Sequence, residues 1–291
     1  MPSFPIIDTH VHLWDPQRLP YSWLKGDAVL DRPYRVEDYQ RDTQSLPVEA
    51  MVFLECDVDS QSNTGAVIDE IEFVEEEAKR EPRIKAIVAK APLERGVAIE
   101  PLIENMVACF PALKGIRRIL QSEADPRATM LSASFVAGVN LLQKFDLHFE
   151  ITVDSTQMDS VLEFVEQTSG VPMILDHCGK PGIKAGQLQQ YKAHLAALAQ
   201  HPNVVCKLSG LCTEADRKHW SERELRPYID ETIAAFGPDR VIYGSDWPVC
   251  LLATPLWRWI ELLDRALSGL SESDRRKIFR DNANRFYRLH L

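Results

Sequence analysis

The sequence predicts a single-domain (β/α)8 (TIM) barrel over residues 1–291. Three observations carry that expectation. Eight short apolar, β-branched runs recur along the chain. Helical patterns separate them at a period of about 30 to 35 residues, the rhythm of repeated βα units. Carboxylates, imidazoles and cations recur near the carboxyl ends of those runs, where barrel enzymes gather their sites. A doubly wound open sheet would place a G-x-G-x-x-G after its first strand, and none is there.

The first strand is "FPIIDTH" (4–10). Residues 13–49, rich in Pro, Asp and Arg, show no repeat and are expected as a loop region over the barrel mouth. The next strands are "AMVFLEC" (50–56), "IKAIVAK" (84–90), "LKGIRRI" (113–119) and "LHFEITV" (147–153). The last three are "PMILDH" (172–177), "NVVCKLS" (203–209) and "RVIYGSD" (240–246). Of the helices, "AVIDEIEFVEEEAKR" has apolar residues at 67, 68, 71, 74 and 78, helical spacing, and Pro82 stops it. The stretches "SFVAGVNLLQKF", "MDSVLEFVEQT", "GQLQQYKAHLAALAQ" and "ELRPYIDETIAAF" read alike, and the acidic run "EEEAKRE" is a solvated face. The final helix, "SESDRRKIFRDNANRFYRL", takes Ser271 or Ser273 as N-cap.

Composition narrows the partners. A chain of 291 residues, 45% of them hydrophobic, fills one large core. A net charge of −10 disfavours nucleic acid and anionic membranes while leaving room for a local Arg/Lys pocket. No apolar run approaches the ~18 residues of a membrane span, and "MPSFPIIDTH" has neither a basic n-region nor an apolar h-region. The six cysteines are scattered without a C-x-x-C pair, as expected for reduced, partly core thiols in a cytoplasmic protein. The expected partner is a small molecule, with no nucleic acid and no membrane, and a homo-oligomer is compatible.

Alternation along a strand sets which side chains face the pore. It puts Asp8, His10 and His12 on one face of strand 1, and Glu55 with Asp57 on strand 2. Strand 4 offers Arg117. Strand 5 has an all-polar face of His148, Glu150, Thr152 and Asp154. Strand 6 ends in Asp176-His177, strand 7 pairs Lys207 with Ser209, and strand 8 ends in Ser245-Asp246. A pore that only supported a scaffold would be filled with Val, Ile and Leu. Each unpartnered buried polar group costs a few kcal/mol, so this many point to a site.

His10, His12, His177 and Asp246 are the expected catalytic residues. As three imidazoles and a carboxylate they suit one Zn or Mn ion. Such an ion polarises a carbonyl or acidifies a bound water. Without an ion, Asp246 serves as general base and the imidazoles face the developing oxyanion. The cofactor expectation is therefore none, or one divalent metal. Arg117, Glu55, Lys180, Lys207, Trp247 and His148 are the expected substrate-binding residues, and loop residues Tyr21, Trp23, Arg32 and Trp247 the expected determinants of substrate choice. Trp14, Trp23 and Trp247 either line a pocket or pack loops on the barrel. His194, His201, His219 and His290 are expected at the surface.

The stretches "IIDTHVHLWDP", "KGIRRILQ", "ILDHCGKP", "VVCKLSGL", "VIYGSDWPV" and "NANRFYRL" resemble the amidohydrolase-related enzymes, end to end. Within them the chain looks like the lactonase branch that includes L-fuconolactonase, L-rhamnonolactonase and 2-pyrone-4,6-dicarboxylate lactonase. The resemblance implies a barrel that hydrolyses a sugar or dicarboxylic lactone. It also implies metal-type or catalytic roles for His10, His12 and His177, a water-activating Asp246 and a substrate-contacting Arg117. The sequence departs from the two-metal pattern: "GIRRIL" offers arginine where a carbamylated lysine would stand, and His148 lies near the start of its strand. One ion or none is therefore expected. A mononuclear metal-dependent decarboxylase or amide hydrolase on the same barrel is the alternative activity, and a barrel that binds without catalysis is a third.

Overall fold

The structure is a computed structural model that describes residues 1–60 and 64–291. Eight parallel strands form one sheet in the order β1 to β8: β1 (Ile6–Val11), β2 (Val48–Leu54), β3 (Ile84–Lys90), β4 (Leu113–Ile119), β5 (His148–Thr152), β6 (Met173–Leu175), β7 (Val204–Leu208) and β8 (Val241–Tyr243). Each crossover carries helix: α1 (Val36–Thr43), α2 (Gly65–Ala78), α3 (Glu100–Cys109), α4 (Pro126–Met130) with α5 (Ala133–Leu141), α6 (Met158–Gln167), α7 (Leu188–Leu198), and α8 (Leu211–Glu214) with α9 (Glu222–Phe236). After β8 come α10 (Leu256–Ala266), α11 (Glu272–Arg276) and α12 (Asn282–Tyr287). No helix among the described residues is long and apolar enough to cross a membrane.

The predicted bounds of β3 and β4 match those observed. The sixth and eighth strands are shorter than expected. Asp176-His177 and Ser245-Asp246 have left the ladder, and His177 (φ 51°) and Asp246 (φ 63°) lie in the left-handed region. Residues 13–49 are not loop throughout, because α1 lies within them. Its amphipathic pattern buries Val36 and Tyr39, and Asp38 accepts from the Arg35 N–H at its first turn. Of the two candidate N-caps of α11, Ser271 is the one used: its Oγ accepts from the Asp274 N–H at 3.1 Å.

The carboxyl ends of β1 and β8, and the residues just past them, join where the barrel closes. The Asp246 N–H donates to the His10 carbonyl at 2.9 Å, the His12 N–H to the Trp247 carbonyl at 2.8 Å, and the Thr9 hydroxyl to the Tyr243 carbonyl at 2.6 Å. Two apolar layers result. The larger lies between sheet and helices. The smaller fills the lower pore with Ile7, Val52, Val88, Ile174 and Ile242, stoppered from below by Ala283 and Tyr287 of α12. Five of the six cysteines are buried thiols and Cys109 is exposed.

Candidate functional site

The upper pore is polar. Alternation from Asp8 would put Asp8, His10 and His12 on one face, but the β1–β2 register shifts between Asp8 and Val11. That irregularity re-aims the side chains. Asp8 turns outward, where the Tyr39 hydroxyl of α1 donates to it at 3.0 Å, and burial raises its pKa. His10 turns inward to Arg117 and Lys207.

His10, His12, His177 and Asp246 converge at the mouth. The Nε2 atoms of His10 and His12 are 3.1 Å apart. Asp246 Oδ1 lies 3.6 Å from His10 Nε2, 3.5 Å from His12 Nε2 and 3.9 Å from His177 Nε2. All four residues are buried. His12 Nδ1 sits 2.9 Å from the Leu54 carbonyl, to which it donates, leaving its Nε2 toward Asp246. His177 Nδ1 is held by Ser209 Oγ at 2.9 Å, leaving its Nε2 toward the pocket. Gly210 makes that turn possible: its φ is +68°, and a Cβ there would lie 2.8 Å from His177 Nδ1.

Burial and the neighbouring charges set the titration of His177, His10 and Asp246. Burial lowers the His177 pKa to about 4 against the pull of Asp246 and Asp176. Burial, with His177 and Lys207 nearby, holds His10 well below its ordinary value. Burial alone would raise Asp246, but His177 and His12 outweigh it and lower its pKa.

This donor set fits a divalent ion. Ligand atoms about 2.0–2.2 Å from a tetrahedral zinc are themselves about 3.3–3.6 Å apart; here the His10 and His12 Nε2 atoms are 3.1 Å apart and Asp246 Oδ1 lies 3.5 to 3.9 Å from the three imidazoles. His10, His177 and Asp246 bring ligand atoms within 4.8 Å of one another.

A cavity of about 250 Å³ opens over this floor, lined by His12, Arg117, His177 and Asp246 and walled by Trp23, Gln121, Ser122 and Lys180. It is smaller than the ~300–1,000 Å³ of drug-sized pockets, which suits one small ring. Arg117 reaches the cavity with its Nε on Glu55 at 2.7 Å. Burial works against its charge, but Glu55 and Asp176 outweigh that and raise its pKa.

The profile of the amidohydrolase family matches residues 7–289. The chain belongs to the amidohydrolase family. It is 36% identical to the L-fucono-1,5-lactonase of Burkholderia multivorans over 97% of this chain and 96% of that one. With the L-rhamnono-gamma-lactonase of Scheffersomyces stipitis it shares 24% over 99% of this chain and 100% of the other. The crystal structure of a Burkholderia multivorans amidohydrolase with bound zinc superposes with a TM-score of 0.85 at 34% identity, covering 98% of this chain and 99% of that one.

Among the expected substrate-binding residues of this amidohydrolase, Arg117 and Lys180 line the cavity. The other four lie elsewhere. Glu55 is fully buried beneath Arg117. Trp247 is buried between Tyr34 and Tyr39, its indole N–H on Asp42, so it packs the loop onto the barrel. Lys207 is wholly enclosed among carboxylates lower in the pore. His148 stands at the opposite end: it begins β5, its Nε2 lies 3.0 Å from Glu150 Oε1, and Phe286 and Tyr287 pack on its ring. Gly115 leaves the space that ring needs, since a Cβ would approach it to 2.3 Å. Of the loop residues, Trp23 lines the cavity, while Tyr21 is buried against Glu70 and Arg32 stacks on Tyr34. His219 and His290 are exposed, His194 and His201 half-buried.

Gln121 and Ser122 escaped the sequence reading as site residues, and Ser209, expected on the pore face with Lys207, was given no role there. The first two follow β4 after Leu120, and Ser209 directly follows β7. The barrel rule, applied to the residues just past each strand, would have named them.

Proposed function

We propose that this amidohydrolase opens the ring ester of a sugar lactone by attack of water. The observation that carries the reading is Asp246 Oδ1, a buried carboxylate held ionised within 3.9 Å of three imidazole Nε2 atoms at the floor of a small cavity. The full-length likeness to two sugar-lactone hydrolases supports it.

In this reading Asp246 takes a proton from water as the oxygen adds to the lactone carbonyl carbon. Negative charge grows on the carbonyl oxygen, and the Arg117 guanidinium, kept charged and fixed by Glu55, faces it together with His177. The ring C–O bond then breaks, the ring oxygen takes up the proton that Asp246 accepted, Asp246 returns to its carboxylate form, and the product is a hydroxy acid. Lys180 and Trp23 hold the sugar's hydroxyls and ring face. The enclosing wall keeps the substrate oriented over Asp246. A zinc or manganese ion held by His10, His12, His177 and Asp246 would add Lewis-acid polarisation of the carbonyl when bound.

A pH-indicator screen of L-fucono-1,5-lactone, L-rhamnono-1,4-lactone and other aldonolactones tests this. Acid release is expected for at least one, falling by about 10²- to 10⁴-fold in Asp246→Asn. No release with any lactone, or an unchanged rate in the variant, overturns the reading. Activity of chelated protein, before and after Zn or Mn is restored, decides whether the protein groups suffice.

A further inference from the structure

Below the mouth, the pore holds a second group of metal-type donors: His10, Glu150 and Asp176 bring one ligand atom each within 4.8 Å of one another. All three are fully buried. The Lys207 ammonium lies among them. Its Nζ is bonded to Glu150 Oε2 and lies 3.0 Å from Asp176 Oδ1 and 3.3 Å from His10 Nδ1.

The cradle is built around that position. Glu150 Oε1 is taken from below by the Tyr287 hydroxyl at 2.6 Å and His148 Nε2 at 3.0 Å, which leaves Oε2 to the ammonium. Asp176 Oδ2 accepts from the Thr152 hydroxyl at 2.8 Å. Its other oxygen, Oδ1, is fully buried and makes no well-aligned hydrogen bond, although the ammonium is close by. Two carboxylates and an imidazole with a loosely satisfied oxygen are the ligand chemistry of a divalent cation, and a lysine supplies the positive charge.

We propose that Lys207 is a built-in cation that occupies a second divalent-metal site beneath the first, so that the barrel accepts an ion at its mouth and excludes one from its pore. Lys207 is then a positioning residue. It neutralises Glu150 and Asp176 and buttresses the Nδ1 side of His10 while the Nε2 side faces His12 and Asp246.

Mn2+ binding to wild type and Lys207→Met, measured by equilibrium dialysis and located by anomalous scattering, tests it. Wild type is expected to saturate at no more than one ion per chain. Lys207→Met is expected to take one more than wild type, lying between Glu150 and Asp176, and Glu150→Gln added to the variant is expected to abolish it. Equal stoichiometry in the folded variant overturns the proposal, as does an ion between Glu150 and Asp176 in wild type. Should Lys207→Met not fold alone, recovery of its far-UV circular dichroism with Mn2+ but not with K+ supports the assignment. Failure of Mn2+ to restore it overturns the assignment.

Discussion

Asp8 Oδ1 accepts the backbone N–H of Ser245 at 2.8 Å, a side-chain bond from the first strand to the residues that follow the eighth. It lies one residue from Asp246. The carboxylate that closes the barrel therefore also sets the backbone carrying the proposed base. Asp8→Ala would leave the Ser245 N–H and the Tyr39 hydroxyl unpaired in a dry environment, at about 1–3 kcal/mol each. The urea midpoint is expected to fall accordingly, and Tyr39→Phe, which strands only one partner, is expected to lower it less.

Ser209 fixes His177 without lining the cavity. Removing such an orienting partner typically costs 10–100-fold in activity or metal affinity. Ser209→Ala is expected to lose activity in that range with an unchanged circular dichroism spectrum. Steady-state rates on the lactone identified by the screen check this, and a rate within twofold of wild type would dismiss the orienting role.

Glu70 on α2 gives a pH signature of stability. Burial, with Glu55 nearby, raises its pKa to about 8, while its Oε1 accepts from the Tyr21 hydroxyl and the Cys56 N–H. The folded state thus keeps a proton that the unfolded chain releases near its ordinary value of 4.5. Between those values the folded state binds more protons, so stability is fully present below pH 4.5 and declines as pH rises through about 8. Glu70→Gln keeps the acceptor oxygen and removes the titration. The Tm of wild type is expected to fall from pH 6 to pH 9 more steeply than that of the variant, and parallel slopes would refute the assignment.

Trp23 stands at the cavity wall, its indole N–H donating to the Cys56 carbonyl at 2.8 Å, and it packs edge-on against Trp14. In the proposed reading it lies among the binding groups and takes no part in proton transfer. Trp23→Ala is expected to raise KM about tenfold, equivalent to ~1.4 kcal/mol, with kcat little changed. A fall in kcat at constant KM would place Trp23 in the chemistry instead.

Much of this was legible in the residues themselves. Apolar, β-branched runs fixed β3 and β4 to the residue, because nothing past their ends pulls them out of the ladder. The pairing of H-x-H on β1 with His177 and Asp246 could be read because metal-type residues at strand ends have few other reasons to recur. Periodicity reports a face, and a face is not a height in the barrel. His148 and Glu150 share a face with Thr152, yet α12 closes the pore beneath them, so His148 orients Glu150 and Thr152 reaches the cavity. Lys207 and Glu55 point inward as expected, but the charges of Glu150, Asp176 and Arg117 hold them there in ion pairs. On β1 the irregular register parts Asp8 from His10, which simple alternation keeps together. The sequence by itself determined the barrel and the identities of the residues at its mouth, through local pattern and residue chemistry. Only the tertiary structure decided which of them meet the cavity and which pair with one another below it, because height, register and ion pairing depend on strands distant along the chain.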